Sequence, residues 1–154
     1  MTSEKPYVAP WASVLTPYIC PRSCADAIDW YVDLLGAVEQ GERYVSDGKV
    51  GHAVVDIDGA QLMLSDAFPD LGAESPPEGN RTATYALYLH VADVDETLAA
   101  ADRAGANVYR PAEDQPYGSR TGAMIDPFGV RWMLATHRAT SDSADQGDAD
   151  ERKR

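Results

Sequence analysis

The sequence predicts an α+β fold of two tandem βαβββ modules whose mixed, mainly antiparallel strands form a cup, and three observations carry that prediction. First, the chain repeats itself: Gly51-His52-Ala53-Val54-Val55-Asp56-Ile57-Asp58-Gly59 is echoed by Thr121-Gly122-Ala123-Met124-Ile125-Asp126-Pro127-Phe128-Gly129. Leu62-Met63-Leu64 returns as Trp132-Met133-Leu134, also 70 positions on, and Gly36-Ala37 returns as Gly105-Ala106, 69 on. A fixed internal period marks a duplicated structural unit. Second, each half holds one stretch of helically spaced apolar residues among strand-like runs. Third, Asp58-Gly59 between two β-rich runs is a tight-hairpin signal.

Taken in order, residues 14–20 alternate around β-formers and stop at Pro21, which cannot donate to a ladder. Ser23 is placed to cap a helix, with Asp26 reaching back three residues later. Ala27, Ile28, Tyr31, Leu34 and Leu35 fall on one face, and Gly36 supplies a left-handed stop. Strands follow at 37–40, 50–56 and 61–65. In the second module, residues 85–91 read as the strand, Asp93 as the cap with Glu96 behind it, and Val94, Leu98 and Ala101 as the apolar face before Gly105. Strands at 107–110, 122–125 and 131–136 complete it.

The predicted organisation is an N-terminal extension (1–13) and a single domain (14–137) of two modules, 14–67 and 83–137. Residues 68–82 form a Pro/Gly-rich surface linker, and 138–154 a disordered acidic tail without large apolar residues. With 154 residues and 44% hydrophobic content, the chain can bury one core. A net charge of −12 opposes approach to nucleic acid or an anionic membrane, so a small or uncharged partner is expected. No apolar run approaches the roughly 20 residues of a membrane span, and the N-terminus lacks a signal-like apolar core, which points to the cytoplasm. Cys20 and Cys24 have no second cysteine pair to complete a zinc site and read as free thiols.

Each module alone would leave one apolar sheet face uncovered. Pairing two modules about a pseudo-twofold axis hides edges and leaves a curved interior, the natural place for a ligand.

Several local words are recognisable: Ala27-Ile28-Asp29-Trp30-Tyr31 before Leu35-Gly36-Ala37, Gly51-His52-Ala53, Leu62-Met63-Leu64-Ser65-Asp66, Val91-Ala92-Asp93-Val94-Asp95 and Asp126-Pro127-Phe128-Gly129-Val130-Arg131-Trp132. From residue 14 to 137 the chain resembles the vicinal oxygen chelate superfamily of glyoxalases, extradiol dioxygenases and bleomycin-resistance proteins, in particular its PhnB-like branch. The resemblance implies the cup fold, a small organic ligand and a homodimer. It also implies, for catalytic members, a divalent metal held by His, Gln or Glu on the first and last strands of each module. Those positions fall near Thr16, Met63, Ala86 and Met133, none of which suits a hard divalent ion. No metal or other cofactor is therefore expected, and the neighbours Tyr18, Cys20, Tyr88, His90 and His137 share the side of the strands that faces the cup.

The expected ligand-binding residues are Tyr18, Cys20, His52, Met63, Tyr88, His90, Tyr117, Arg120 and Met133. Tyr18 and Tyr88, related by the repeat, offer aromatic faces with polar tips or else belong to the core. Met63 and Met133 offer soft, adaptable surface. His90 is either a ligand contact, and then a candidate general base, or a hydrogen-bonded structural residue; His52 holds strand geometry or touches the pocket. Arg120, on the loop after Tyr117, meets an anionic group or forms a surface ion pair. Trp30 and Trp132 read as packing residues, His137 as solvated, and Asp56, Asp58 and Asp126 as turn-forming aspartates. Two functions remain: a metal-free binder that sequesters an antibiotic or metabolite, or an enzyme of glyoxalase, isomerase or dioxygenase type acting on a small carbonyl or aromatic substrate.

Overall fold

The structure, a computed structural model, describes residues 5–79 and 83–138. The predicted acidic tail, apart from its first residue, and the last three linker positions lie outside the described residues. The chain forms two compact units, the first built on residues up to Ala83 together with Pro127–Val130, the second on Thr84–Asp126 and the residues from Arg131 onward.

The first unit contains β1 (Tyr18–Ile19), α1 (Cys24–Leu35), β2 (Val38–Glu39), β3 (Tyr44–Ser46), β4 (Lys49–Ile57) and β5 (Ala60–Leu64). Its strands lie in the order β1-β5-β4-β2, with β3 also paired to β4. The second contains β6 (Leu87–His90), α2 (Val94–Arg103), β7 (Asn107–Asp114), β8 (Ser119–Ile125) and β9 (Arg131–His137), in the order β6-β9-β8-β7. In both, the first strand runs parallel to the last and the remaining pairings are antiparallel. The tandem βαβββ prediction is thereby realised as two mixed sheets of one topology, each with one helix.

The strands depart from expectation in several places. Strand β3 is additional, formed because Asp47 and Gly48 both take positive φ (51° and 73°), as a two-residue primed turn requires, and fold Tyr44–Ser46 back on β4. Strands β1 and β6 are shorter than the predicted 14–20 and 85–91. For β1 the reason is Pro17 and Pro21 on either side, neither of which can donate to a ladder. The Asp58-Gly59 hairpin forms as expected, with φ of 50° and 92°; Asp56 Oδ1 accepts from Gly59 N at 2.8 Å.

Helix α1 buries Cys24, Ala27, Ile28 and Tyr31 against β4, on the sheet face that carries Ile19, Ala53, Val55, Leu62 and Leu64. Each large side chain so buried contributes about 1.5–3 kcal/mol. Gly36 ends the helix at φ 66°, its N–H returning to Tyr31 O. Ser23 does not cap as expected. Its own φ is 56°, and its hydroxyl donates to Asp26 (2.7 Å) instead of accepting from the backbone. The cap comes from the strand end: Asp66 Oδ1 accepts from Cys24 N at 2.9 Å and Oδ2 from Val50 N at 2.7 Å. Helix α2 is capped locally as predicted, Asp93 Oδ1 accepting from Glu96 N (3.1 Å), and also from β9, where Thr136 Oγ1 accepts from Val94 N (3.0 Å). It packs Val94, Leu98 and Ala101 over its sheet. At Gly122 a Cβ would lie 2.4 Å from Leu98 Cδ1 and 3.0 Å from Arg110 O, so only glycine lets β8 pass beneath the helix.

The strand ladders also correct the repeat. Tyr18 and Met63 are opposite one another, as are Tyr88 and Met133, seventy positions on. Val54 faces Met63, however, and Ala123 faces Met133, so β4 corresponds to β8 at sixty-nine. The counterpart of His52 is therefore Thr121, and that of Asp56 is Ile125. A one-residue slip exchanges the faces of a strand, which is why the apparent match of Asp56 with Asp126 misleads. Asp126 lies just past β8, buried, and accepts from Trp132 Nε1 at 2.9 Å.

The linker is partly structured. Pro69–Leu71 form a 3₁₀ turn and Phe68 bridges Ala73. Arg22 Nη1 donates to the carbonyls of Pro76 (2.9 Å) and Pro77 (2.8 Å), and Ser75 Oγ to that of Pro21 (3.3 Å). Proline-rich chain cannot saturate its own carbonyls, and one arginine supplies the missing donors.

Candidate functional site

Strand alternation gives each sheet a helix-covered face and an opposite face. In the first unit the opposite face carries Tyr18, Met63 and Val54 in one row across β1, β5 and β4. Gln40 continues that row, its N–H bonded to Val54 O at 2.8 Å. Tyr18 is 49% exposed; its hydroxyl lies 3.1 Å from His52 Nδ1, the two rings 5.7 Å apart. His52 thus meets a candidate tyrosine while resting half-buried on β4. Cys20 Sγ sits 3.5 Å from Ser65 Oγ.

The row is flanked by a recess of about 480 Å³ lined by Trp11, Gln40, Gly41 and Val54. The expected site residues do not include these four. Trp11 belongs to the predicted extension, and the signal that could have found it is a tryptophan in a segment otherwise without a packing role. The segment turns on a bond from Ala12 N to Ala9 O (2.9 Å), and Ser13 Oγ donates to Gln61 Oε1 of the sheet at 3.4 Å.

In the second unit Tyr88, Met133 and Ala123 form the corresponding row, and His90, Ala135 and Thr121 the next. Tyr88 is again 49% exposed. Its ring meets that of His90 edge-on at 5.3 Å. Tyr117 stands exposed on the β7–β8 turn. Arg120 is occupied by carboxylates: Nε and Nη2 donate to the two oxygens of Asp95 at 2.7 and 2.9 Å, and Nη1 to Asp114 at 3.3 Å. The hydrogen bonds hold the Asp95 carboxyl below its usual range and raise the Arg120 guanidinium above its own. His137 is exposed at the end of β9, and Trp132 is buried as expected.

In the ladders Tyr18 lies opposite Met63 and Tyr88 opposite Met133. The expected metal positions Thr16, Met63, Ala86 and Met133 carry no imidazole or carboxylate, the groups a hard divalent ion takes. Among the described residues no three His, Cys, Asp or Glu side chains are grouped to hold a metal. The cysteines are free thiols; burial, with Asp66 nearby, pushes Cys24 up to about 12, so it remains protonated and poorly nucleophilic at neutral pH. No helix among the described residues is long and apolar enough to cross a membrane.

Comparison with known proteins agrees with this geometry. Residues 13–134 match the Glyoxalase/Bleomycin resistance protein/Dioxygenase superfamily. An uncharacterised protein of Mycobacterium bovis is 38% identical over 122 residues, covering 78% of this chain and 80% of that protein. Among solved structures, TioX from Micromonospora superposes with a TM-score of 0.59 at 23% identity, covering 83% of this chain and 98% of TioX. A PhnB protein from Bacillus cereus gives 0.61 at 18% identity, covering 80% and 99%; these two establish the shared fold. With its two βαβββ units and a match over most of its length, the chain belongs to the glyoxalase/bleomycin resistance protein/dioxygenase superfamily.

Proposed function

We propose that this protein binds a small, mostly apolar organic molecule without a metal, on the sheet faces that carry the tyrosine–methionine rows. The observation that supports this most is the duplicated pair itself: in each unit a half-exposed tyrosine stands directly opposite a methionine. An aromatic face with a polar tip beside a polarizable thioether suits flat or amphipathic ligands of varied shape. Sequestration of an antibiotic or metabolite, by a cytoplasmic homodimer, is the role this chemistry serves best.

The test is a calorimetric screen of neutral and amphipathic aromatic compounds, followed by titration of variants. Tyr88→Ala weakens binding of a hit about tenfold, roughly 1.4 kcal/mol, and leaves the circular dichroism spectrum and melting temperature in place. Unchanged dissociation constants in both Tyr18→Ala and Tyr88→Ala variants overturn the site. Near one divalent metal per chain by elemental analysis, with turnover of a carbonyl substrate that disappears in His90→Ala, replaces binding with catalysis.

A further inference from the structure

We infer that the recess beside Val54 takes a planar, uncharged aromatic group bearing an amide, lactam or ketone edge, and that Trp11, from the segment preceding β1, is its aromatic wall. The inference rests on the binding function proposed above and specifies where in the first unit the ligand sits and what class it belongs to.

Four features converge. The recess, at about 480 Å³, has the size of small-molecule pockets, typically about 300–1,000 Å³. It continues the Tyr18–Met63–Val54 row, since Gln40, just past β2, donates its N–H to Val54 O on β4. With strands roughly 4.8 Å apart, the row from Tyr18 to Gln40 spans about 14 Å, the length of a fused aromatic system. Trp11 is 50% exposed while lining the wall, so a ligand that covered it would remove a large apolar face from water. The segment turns on the Ala12 N to Ala9 O bond and meets the sheet through the Ser13–Gln61 bond, Gln61 lying on the same sheet face as Met63.

Among the described residues, the lining also carries no charge. Trp11, Gln40, Gly41 and Val54 include no ionisable side chain, and the chain's net charge of −12 repels anions. The Gln40 amide carries both donors and an acceptor, which matches an amide or ketone edge and leaves a carboxylate without a cationic partner.

The experiment uses the full chain, with 2-naphthamide as probe and 2-naphthoate as its anionic counterpart, both measured by titration calorimetry. Saturable binding of 2-naphthamide is expected, with 2-naphthoate at least tenfold weaker. Trp11→Ala should weaken 2-naphthamide at least tenfold and Gln40→Ala severalfold, at unchanged melting temperature; Gln40→Ala carries the test if Trp11→Ala folds poorly. Loss of affinity in Tyr18→Ala or Tyr88→Ala, with Trp11→Ala and Gln40→Ala unaffected, overturns the pocket and leaves the binding function standing. Loss in the Trp11 and Gln40 variants alone supports the pocket and removes the tyrosines from the binding surface. No binding of 2-naphthamide, or equal binding of the carboxylate, overturns the inferred ligand class.

Discussion

The two units share a backbone plan and fill it with different chemistry. Where the first ties its helix to the sheet with the Asp66 carboxylate, the second uses the Thr136 hydroxyl. Where the first buries Leu62 under α1, the second buries Trp132, whose indole N–H needs the buried Asp126. Beside the tyrosine–methionine row, His52 touches Tyr18 in the first unit, and its counterpart in the second is the buried Thr121. Duplication has therefore retained backbone hydrogen-bonding tasks and the tyrosine–methionine row, while the groups that give each unit its polarity have changed. A ligand lying against one row meets a tyrosine held by a histidine from another strand; against the other it meets one beside a histidine two residues along the same strand.

The largest expected difference lies in the cores. Trp132→Ala should cost about 4 kcal/mol in urea unfolding, because it opens a cavity and deprives a buried carboxylate of a donor; Leu62→Ala should cost about 3 kcal/mol. Equal losses would mean that the Trp132–Asp126 bond contributes nothing beyond packing.

Next come the helix ties. Asp66→Ala abandons two backbone N–H groups held by a charged acceptor and should lower stability by about 2–3 kcal/mol, against about 1 kcal/mol for Thr136→Val. Should the two be equally damaging, the charge on Asp66 adds no strength.

Smallest at neutral pH is the exchange at the first helical residue, where Cys24 corresponds to Val94. Cys24→Val should change stability by less than about 1.5 kcal/mol near pH 7. The difference emerges in alkali. With the thiol raised from 9.0 to about 12 in the folded protein, both states are protonated below pH 9, and stability is complete there. Between pH 9 and 12 the unfolded chain releases the proton first, so stability falls as pH rises. The valine variant should show a shallower alkaline decline; parallel declines would place the cause elsewhere.

Much of this was legible in the residues. The Asp58-Gly59 turn, the Gly36 stop and the Asp93 cap are local signals, and each forms where the residues place it. Strand β3 had such a signal in Asp47-Gly48 and was missed. The one-residue change of offset was present in the glycine spacing, yet which strands carried it depended on ladder pairing. Tyr18 and Tyr88 are related by the repeat, whereas Trp11 stands in a segment with no periodicity to assign it a neighbour.

The sequence by itself determined the α+β class and the duplication, because these follow from local propensity and period. Tertiary structure alone decided that Asp66 caps α1, that Arg22 gathers the prolines' carbonyls, that Arg120 is held by Asp95 and Asp114, and that Trp11 walls a recess beside Val54. Each of those joins groups distant in the chain, and a side chain's partner is set by where the backbone brings it, which no local pattern encodes.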